Sequence, residues 1–115
     1  MSKSPLGDFN YSAVNYLIHQ DVDMVYDYGH HMTQGGELLG IYHYEKRRVY
    51  IYPSIKQKRL EDITILHEWL HAYERVMLDR RFTECQVDWW AFYHHRRDRI
   101  LVEYIRSLFP HFAAK

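Results

Sequence analysis

An apolar residue recurs every three or four positions between residues 60 and 78, and this period constrains the fold more than any other feature of the sequence. The residues that carry it are Leu60, Ile63, Leu66, Leu70, Tyr73 and Met77. Such spacing forms one apolar stripe along a helix, so the middle of the chain is predicted to be a helix that packs on a core. With 115 residues there is room for one core, and we predict a single domain over residues 1–115.

Two further helices are predicted on either side of this segment. Apolar residues at helical spacing predict an N-terminal backing helix over residues 9–24. A long helix is predicted over residues 83–108, with Thr83 as its N-cap and Pro110 just beyond its end.

A small mixed sheet of about three strands is predicted between the first two helices. The segments in which β-forming side chains concentrate are residues 26–29, 38–44 and 48–52. The polar residues 45–47 predict a hairpin between the second and third strands, with Val49 and Ile51 on one face. The order helix, small sheet, helix, helix predicts an α+β fold.

Charge and cysteine content exclude several classes of function. The chain has 15 basic and 15 acidic residues, so no net field attracts nucleic acid or an anionic membrane. No apolar run is long enough to span a bilayer, and none resembles a signal peptide, so we expect a cytoplasmic protein. Cys85 is the only cysteine, which excludes an intramolecular disulfide, and we expect it to be a buried thiol.

The predicted central helix contains the sequence His67-Glu68-Trp69-Leu70-His71, an H-E-x-x-H motif. Residues four apart lie on the same face of a helix, so His67 and His71 can converge on one metal ion. Glu68 projects about a quarter-turn away, where it borders the metal without binding it. In that position it can take a proton from a water activated by the metal.

Two carboxylates follow at the start of the next predicted helix. A catalytic zinc ion takes three protein ligands, and Glu84 can fold back toward His67 and His71 as the third. Asp88 lies one turn later on the same face, where it can accept a hydrogen bond from a metal-bound imidazole. If the two helices run strictly antiparallel, Asp88 reaches the metal more naturally and the two roles exchange.

These two segments resemble the gluzincin metallopeptidases. The matching runs are Ile63-Thr-Ile-Leu-His67-Glu-Trp-Leu-His71-Ala and Thr83-Glu84-Cys-Gln-Val-Asp88. The chain looks most similar to the minimal soluble members called minigluzincins, which are similar to the catalytic cores of integral-membrane metallopeptidases. The resemblance extends over nearly the whole chain. The chain departs from the family in the number of Tyr and His residues in the sheet region.

The resemblance implies a zinc metallopeptidase and a role for each motif residue. It implies His67, His71 and Glu84 as ligands of Zn²⁺, Glu68 as general base and acid, and Asp88 as the residue that orients a ligand. It also implies latency, maintained by a C-terminal segment or by self-association as a homodimer. The aromatic residues 109–112 are the candidate segment for covering the cleft.

Peptide hydrolysis is therefore the predicted reaction, with a peptide or protein as substrate. An electrophile for the oxyanion is also required, and His95, three turns after Glu84, is the candidate. The other candidates, among which the sequence does not choose, are His30, His31, His43, Tyr73, Tyr93 and His94. The alternative function is a non-catalytic or partner-specific zinc-binding regulatory module.

The three tryptophans, Trp69, Trp89 and Trp90, occupy helical positions, and we expect them in the core rather than in contact with substrate.

Overall fold

A three-stranded mixed sheet packs against helices in the computed structural model of the protein, which describes residues 4–29, 32–33, 36–54 and 56–110. In chain order the elements are α1 (Tyr11–His19), β1 (Asp23–Tyr26), β2 (Met32–Thr33), β3 (Gly36–Glu37), β4 (Gly40–His43), β5 (Arg48–Ile51), α2 (Glu61–Ala72), α3 (Glu84–Arg97) and α4 (Arg99–Leu108). Short 3₁₀ turns at Pro5–Asp8 and Lys58–Leu60 precede α1 and α2. The predicted α+β class is confirmed.

The sheet has the strand order β1-β5-β4, which places β5 in the centre and β4 at an edge. β4 and β5 form the predicted antiparallel hairpin, and β1 pairs with β5 in parallel. Val49 and Ile51 are buried on one face of β5, as the alternation of the sequence predicts. β2 and β3 form a separate two-stranded hairpin.

The first helix is shorter than predicted at both ends, and the first strand begins and ends earlier than predicted. α1 ends at His19 rather than at residue 24, because the chain reverses at Asp21, whose φ of 67° cannot continue a helix. Val22 and Met24 are consequently buried beside and within β1, not on a helix. Their apolar character fitted the helical period and the strand equally well.

The core lies between the sheet and α2, the central helix. Ile63, Leu66, Leu70 and Tyr73 are buried, which confirms the middle of the predicted apolar stripe. Its two ends are exposed, with Leu60 at 37% and Met77 at 38%. Trp69 is fully buried, and its indole N–H donates to the Met24 sulfur over 3.4 Å. α2 thus presents its apolar side to the core and leaves a second side for α3 and β4.

The predicted helix over residues 60–78 changes its winding after Ala72. Tyr73–Met77 forms a π-helical turn, closed by a hydrogen bond of 3.1 Å from the Leu78 amide to the Tyr73 carbonyl. Such a turn accommodates one more residue than an α-helical turn and is frequent at functional sites. It lies immediately after His71 and contains Glu74.

The long helix predicted over residues 83–108 is two helices, because it breaks at Asp98. The Asp98 carboxylate accepts a hydrogen bond from the Ile100 amide and caps α4. A short polar side chain of this kind competes with the helix for backbone donors. The break allows Arg106 of α4 to pair with Glu61 at the start of α2, at 2.6 Å.

The described part of the C-terminal segment packs on the core. The rings of Phe109 and Trp69 lie 5.7 Å apart. Phe109 does not line the clefts described below. The remaining residues of the predicted covering segment, His111 and Phe112, lie outside the described residues.

Candidate metal centre

Contacts between α2 and α3 join their residues in reverse order, so the two helices run antiparallel. The pairs are His71 with Glu84, His67 with Asp88, and Asp62 with His95. α3 begins with a capping box, in which the Thr83 hydroxyl accepts from the Gln86 amide and the Gln86 side chain accepts from the Thr83 amide. This cap fixes the first turn of α3, which contains Glu84.

Three acceptor atoms converge at the point where α2 and α3 cross. His67 Nε2 and His71 Nε2 lie 3.1 Å apart. Glu84 Oε2 lies 2.9 Å from His71 Nε2 and 3.4 Å from His67 Nε2. In a tetrahedral zinc site with bonds of about 2.0–2.1 Å, neighbouring ligand atoms are about 3.3 Å apart. The triangle therefore has the dimensions of three ligands around one zinc ion.

The other ring nitrogen of each histidine contacts a carboxylate. His67 Nδ1 lies 3.0 Å from Asp88 Oδ1, and His71 Nδ1 lies 2.7 Å from Glu74 Oε1. An ionised carboxylate only accepts hydrogen bonds, so each Nδ1 carries the hydrogen. In the neutral imidazoles both Nε2 atoms consequently present lone pairs to each other and to Glu84. Such acceptors repel one another unless a proton or a metal cation lies among them, and this set of nitrogen and oxygen donors suits zinc.

Glu84 occupies the predicted third position, and the antiparallel arrangement does not exchange its role with that of Asp88. Asp88 contacts the Nδ1 side of His67, which faces away from the triangle. Glu84 contacts the Nε2 atoms of both histidines, although three quarters of its side chain is exposed (75%). Its exposed position at the start of α3 leaves the centre open to solvent on one side.

Glu74 is a part of the centre that the sequence reasoning missed. It is buried, and its second oxygen accepts a hydrogen bond of 2.7 Å from the Phe82 amide. One carboxylate therefore joins His71 to the segment that leads into α3. Its position three residues after His71, on the same helix face, was the available signal.

Glu68 lies beside the triangle on the side that faces β4. Glu68 is only 8% exposed, and its carboxylate accepts a hydrogen bond from the backbone N–H of Tyr42. Burial raises the pKa of Glu68, although the neighbouring His67 and His71 oppose that shift. Burial lowers the pKa of His71, but the hydrogen bond to Glu74 and the nearby carboxylates raise it by more. The pKa of His71 therefore lies above its ordinary value.

Gly40 allows β4 to approach α2 closely at this point. A Cβ atom at position 40 would lie 2.7 Å from Thr64 Cγ2 and 3.3 Å from Glu68 Cγ. A side chain there would displace the strand that contacts Glu68. Glycine within a strand often marks such an approach, and the sequence analysis did not use this signal.

Two clefts meet at Glu68 and Gly40, which line both of them. The His71-side cleft has a volume of about 440 Å³ and includes Tyr42, Tyr44, Arg75, Arg81 and Phe82. The His67-side cleft has a volume of about 330 Å³ and includes Glu37, Leu39, Leu60, Ile63 and Phe92. Glu68 therefore lies at the middle of an open path along the edge of the sheet.

His95, the predicted oxyanion residue, is not brought to Glu68. Its Nε2 lies 3.4 Å from Asp62, near the start of α2, and His95 lines neither cleft. His94 is buried against the Leu6 carbonyl, and Tyr73 contacts the Pro5 carbonyl. The side chains of His95, His94 and Tyr73 therefore form their contacts away from Glu68.

The remaining candidates for this role divide into two groups. Neither His43 nor Tyr93 lines either cleft; His43 contacts the Lys46 amide through Nδ1. His30 and His31 lie outside the described residues.

Two expectations about burial are wrong. Cys85 is exposed, because the first turn of α3 turns it away from the core. Trp89 is 58% exposed, on the outer face of α3, where its ring stacks on that of Tyr93. Trp69 and Trp90 do pack in or against the core. The helical period of α3 is weak, so the sequence did not indicate which face of this helix is buried.

The sequence matches no protein-family model, and neither curated proteins nor solved structures give a match. In the described part of the chain, no helix combines the length and apolar character needed to cross a membrane.

Proposed function

We propose that this protein is a zinc-dependent endopeptidase in which His67, His71 and Glu84 hold the metal and Glu68 is the general base. The observation that supports it most is the triangle of 2.9, 3.1 and 3.4 Å between three acceptor atoms. Both imidazoles are oriented by carboxylates on their Nδ1 side, which is the usual arrangement around metal-bound histidines.

A zinc ion bound there supplies Lewis-acid polarisation of the substrate carbonyl and activation of a water molecule. Glu68 takes the proton released from the water and passes it to the nitrogen of the leaving amine. Its buried environment raises its pKa, which makes the carboxylate a stronger base. The N–H of Tyr42 holds that carboxylate in place during both transfers.

The edge strand β4 supports binding of an extended peptide. In the register of β4 and β5, Tyr42 directs its N–H to Glu68, so Gly40, two residues earlier, also directs its peptide groups away from β5. An extended substrate can pair with such an edge through backbone hydrogen bonds. Because the path continues on both sides of Glu68, it suits cleavage within a chain rather than at its end.

The first test is the metal content of the protein after removal of metal and titration with zinc. We expect one zinc ion per chain in the wild type and a large loss of affinity in His71→Ala. His19→Ala, in which the altered histidine lies at the end of α1, is the matched control and should bind zinc like the wild type. Equal zinc binding by wild type and His71→Ala would contradict the proposed site.

The second test is cleavage of an unfolded protein substrate by zinc-loaded wild type and Glu68→Gln. We expect Glu68→Gln to bind one zinc ion but to cleave more slowly by about 10²–10⁴-fold, the usual contribution of a general base. Zinc binding without cleavage by the wild type would instead favour the non-catalytic or partner-specific zinc-binding module.

A further inference from the structure

Two arginines line the His71-side cleft beside the metal centre. They are Arg75 and Arg81, and within the described ranges neither forms an ion pair with a carboxylate. The three carboxylates that line this cleft already have other partners. Glu68 accepts from the Tyr42 amide, Glu74 contacts His71 and the Phe82 amide, and Glu84 contacts both Nε2 atoms.

Arg75 is held in an orientation that suits recognition of a carboxylate. Its guanidinium carbon lies 4.4 Å from the centre of the Tyr44 ring. A guanidinium over an aromatic face keeps the N–H groups at its rim available for hydrogen bonds in its own plane. Arg75 also follows His71 by four residues, so its side chain lies near the same side of the helix.

Arg81 is placed by the same glutamate that contacts His71. The amide of the preceding Arg80 donates to the Glu74 carbonyl over 2.9 Å, and the amide of the following Phe82 donates to the Glu74 carboxylate over 2.7 Å. The backbone on both sides of Arg81 is therefore fixed to Glu74. This arrangement sets the distance between the Arg81 backbone and the metal centre.

The His67-side cleft has the opposite character. Leu39, Leu60, Ile63 and Phe92 give it an apolar lining, and it contains no lysine or arginine among the described residues. Its acidic Glu37 and Asp88, which no lysine or arginine of that lining offsets, would repel a carboxylate of the substrate. The two sides of Glu68 consequently differ in the side chains that they can accept.

We propose that the His71-side cleft selects an acidic residue of the substrate, whose carboxylate is bound by Arg75 and Arg81, while the His67-side cleft accepts an apolar residue. This specificity rests on the proposed peptidase function. Charge-assisted hydrogen bonds to a carboxylate contribute about 1.5–3 kcal/mol, which corresponds to a preference of about 10–100-fold for Glu over its neutral isostere Gln.

The experiment uses peptides that contain one apolar residue. In each pair of peptides, a single position before or after that residue is Glu in one peptide and Gln in the other. Binding of each peptide is measured by fluorescence anisotropy with the zinc-loaded Glu68→Gln protein, in which the substrate is retained. Cleavage of the same peptides is measured with the wild type. The substitutions Arg75→Gln and Arg81→Gln are compared with Arg80→Gln, in which the altered arginine stacks on Phe82 and does not line the cleft.

We expect Glu to be preferred over Gln by about 10-fold or more at one position, in binding and in cleavage. Arg75→Gln and Arg81→Gln should each reduce that ratio toward one, whereas Arg80→Gln should keep it. A ratio near one at every position, or a preference that survives Arg75→Gln and Arg81→Gln together, would overturn the proposal. If no peptide is cleaved, the peptidase function fails, but the anisotropy ratio still decides the specificity of the cleft.

Discussion

The carboxylate of Glu74 contacts Nδ1 of His71 at 2.7 Å and, through its other oxygen, the amide of Phe82 at 2.7 Å. This buried residue lies in the π-helical turn that ends the central helix. It orients one candidate ligand and also fixes the segment from which α3, with Glu84, begins. The geometry of the candidate metal centre therefore depends on a residue outside the triangle of possible ligands.

Substitution Glu74→Gln should weaken zinc binding about 10–100-fold, because loss of such an outer carboxylate typically has this effect. The affinity can be measured by competition with a chromogenic chelator. Glu45→Gln, at an exposed position in the hairpin turn, is the control and should leave the affinity unchanged. Unaltered affinity in Glu74→Gln, with its fold retained by circular dichroism, would show that the contact with His71 does not support the site.

Substitution Gly40→Ala should reduce both stability and activity. Its Cβ would lie 2.7 Å from Thr64 Cγ2, so β4 or α2 must shift, with a loss of about 1–3 kcal/mol in the free energy of unfolding. The shift would also separate Tyr42 from Glu68. Urea unfolding and peptide cleavage measure the two effects.

The matched control is Ile41→Ala, which alters an exposed side chain of the same strand. It should change the free energy of unfolding less than Gly40→Ala does. Wild-type stability and cleavage in Gly40→Ala would contradict the close approach of β4 to α2.

Substitution Tyr42→Phe should leave stability unchanged or raise it by about 1 kcal/mol. The Tyr42 hydroxyl oxygen is buried without a hydrogen-bond partner among the residues that the structure describes, so its removal abolishes a desolvation cost. Tyr73→Phe is the contrasting variant, because the Tyr73 hydroxyl donates to the Pro5 carbonyl over 3.3 Å. It should lose stability in the same urea experiment. A marked loss in Tyr42→Phe would mean that its hydroxyl has a partner.

Protonation of His94 should make the metal-free protein less stable in mild acid than at neutral pH. Burial lowers the pKa of His94, and Arg97 lowers it further, whereas the hydrogen bond to the Leu6 carbonyl and the Asp98 carboxylate oppose the shift. The unfolded chain, with a pKa of about 6.5, then binds more protons than the folded chain. The contribution of neutral His94 to the free energy of unfolding is fully present above the pKa of the unfolded chain. It is lost as the pH falls from there toward the lowered pKa of the folded chain.

The measurement is the free energy of unfolding in urea at pH 7.5 and pH 5.5, with a chelator present. His94→Gln preserves a donor for the Leu6 carbonyl but does not titrate. The wild type should lose more stability than His94→Gln between the two pH values. Equal losses would exclude His94 as the source, because the other titrating groups are common to both proteins.

The sequence by itself determined the central helix and the candidates for the metal centre. The apolar period that includes Ile63, Leu66 and Leu70 specifies which side of that helix is buried, since a 3.6-residue repeat has only one continuous stripe. The spacing of His67 and His71 follows from the same geometry. The hairpin of β4 and β5 and the cap at Thr83 were also predicted, because they depend on neighbours in sequence.

Only the tertiary structure decided how these local elements meet. The packing of α3 against α2 sets whether Glu84 or Asp88 faces the Nε2 atoms, and that packing depends on residues distant in sequence. The same holds for His95, whose helical spacing from Glu84 does not show that α3 carries it toward Asp62. The change of winding after Ala72 and the break at Asp98 arise where side-chain and long-range contacts compete with helical propensity, a competition that a periodic pattern does not record.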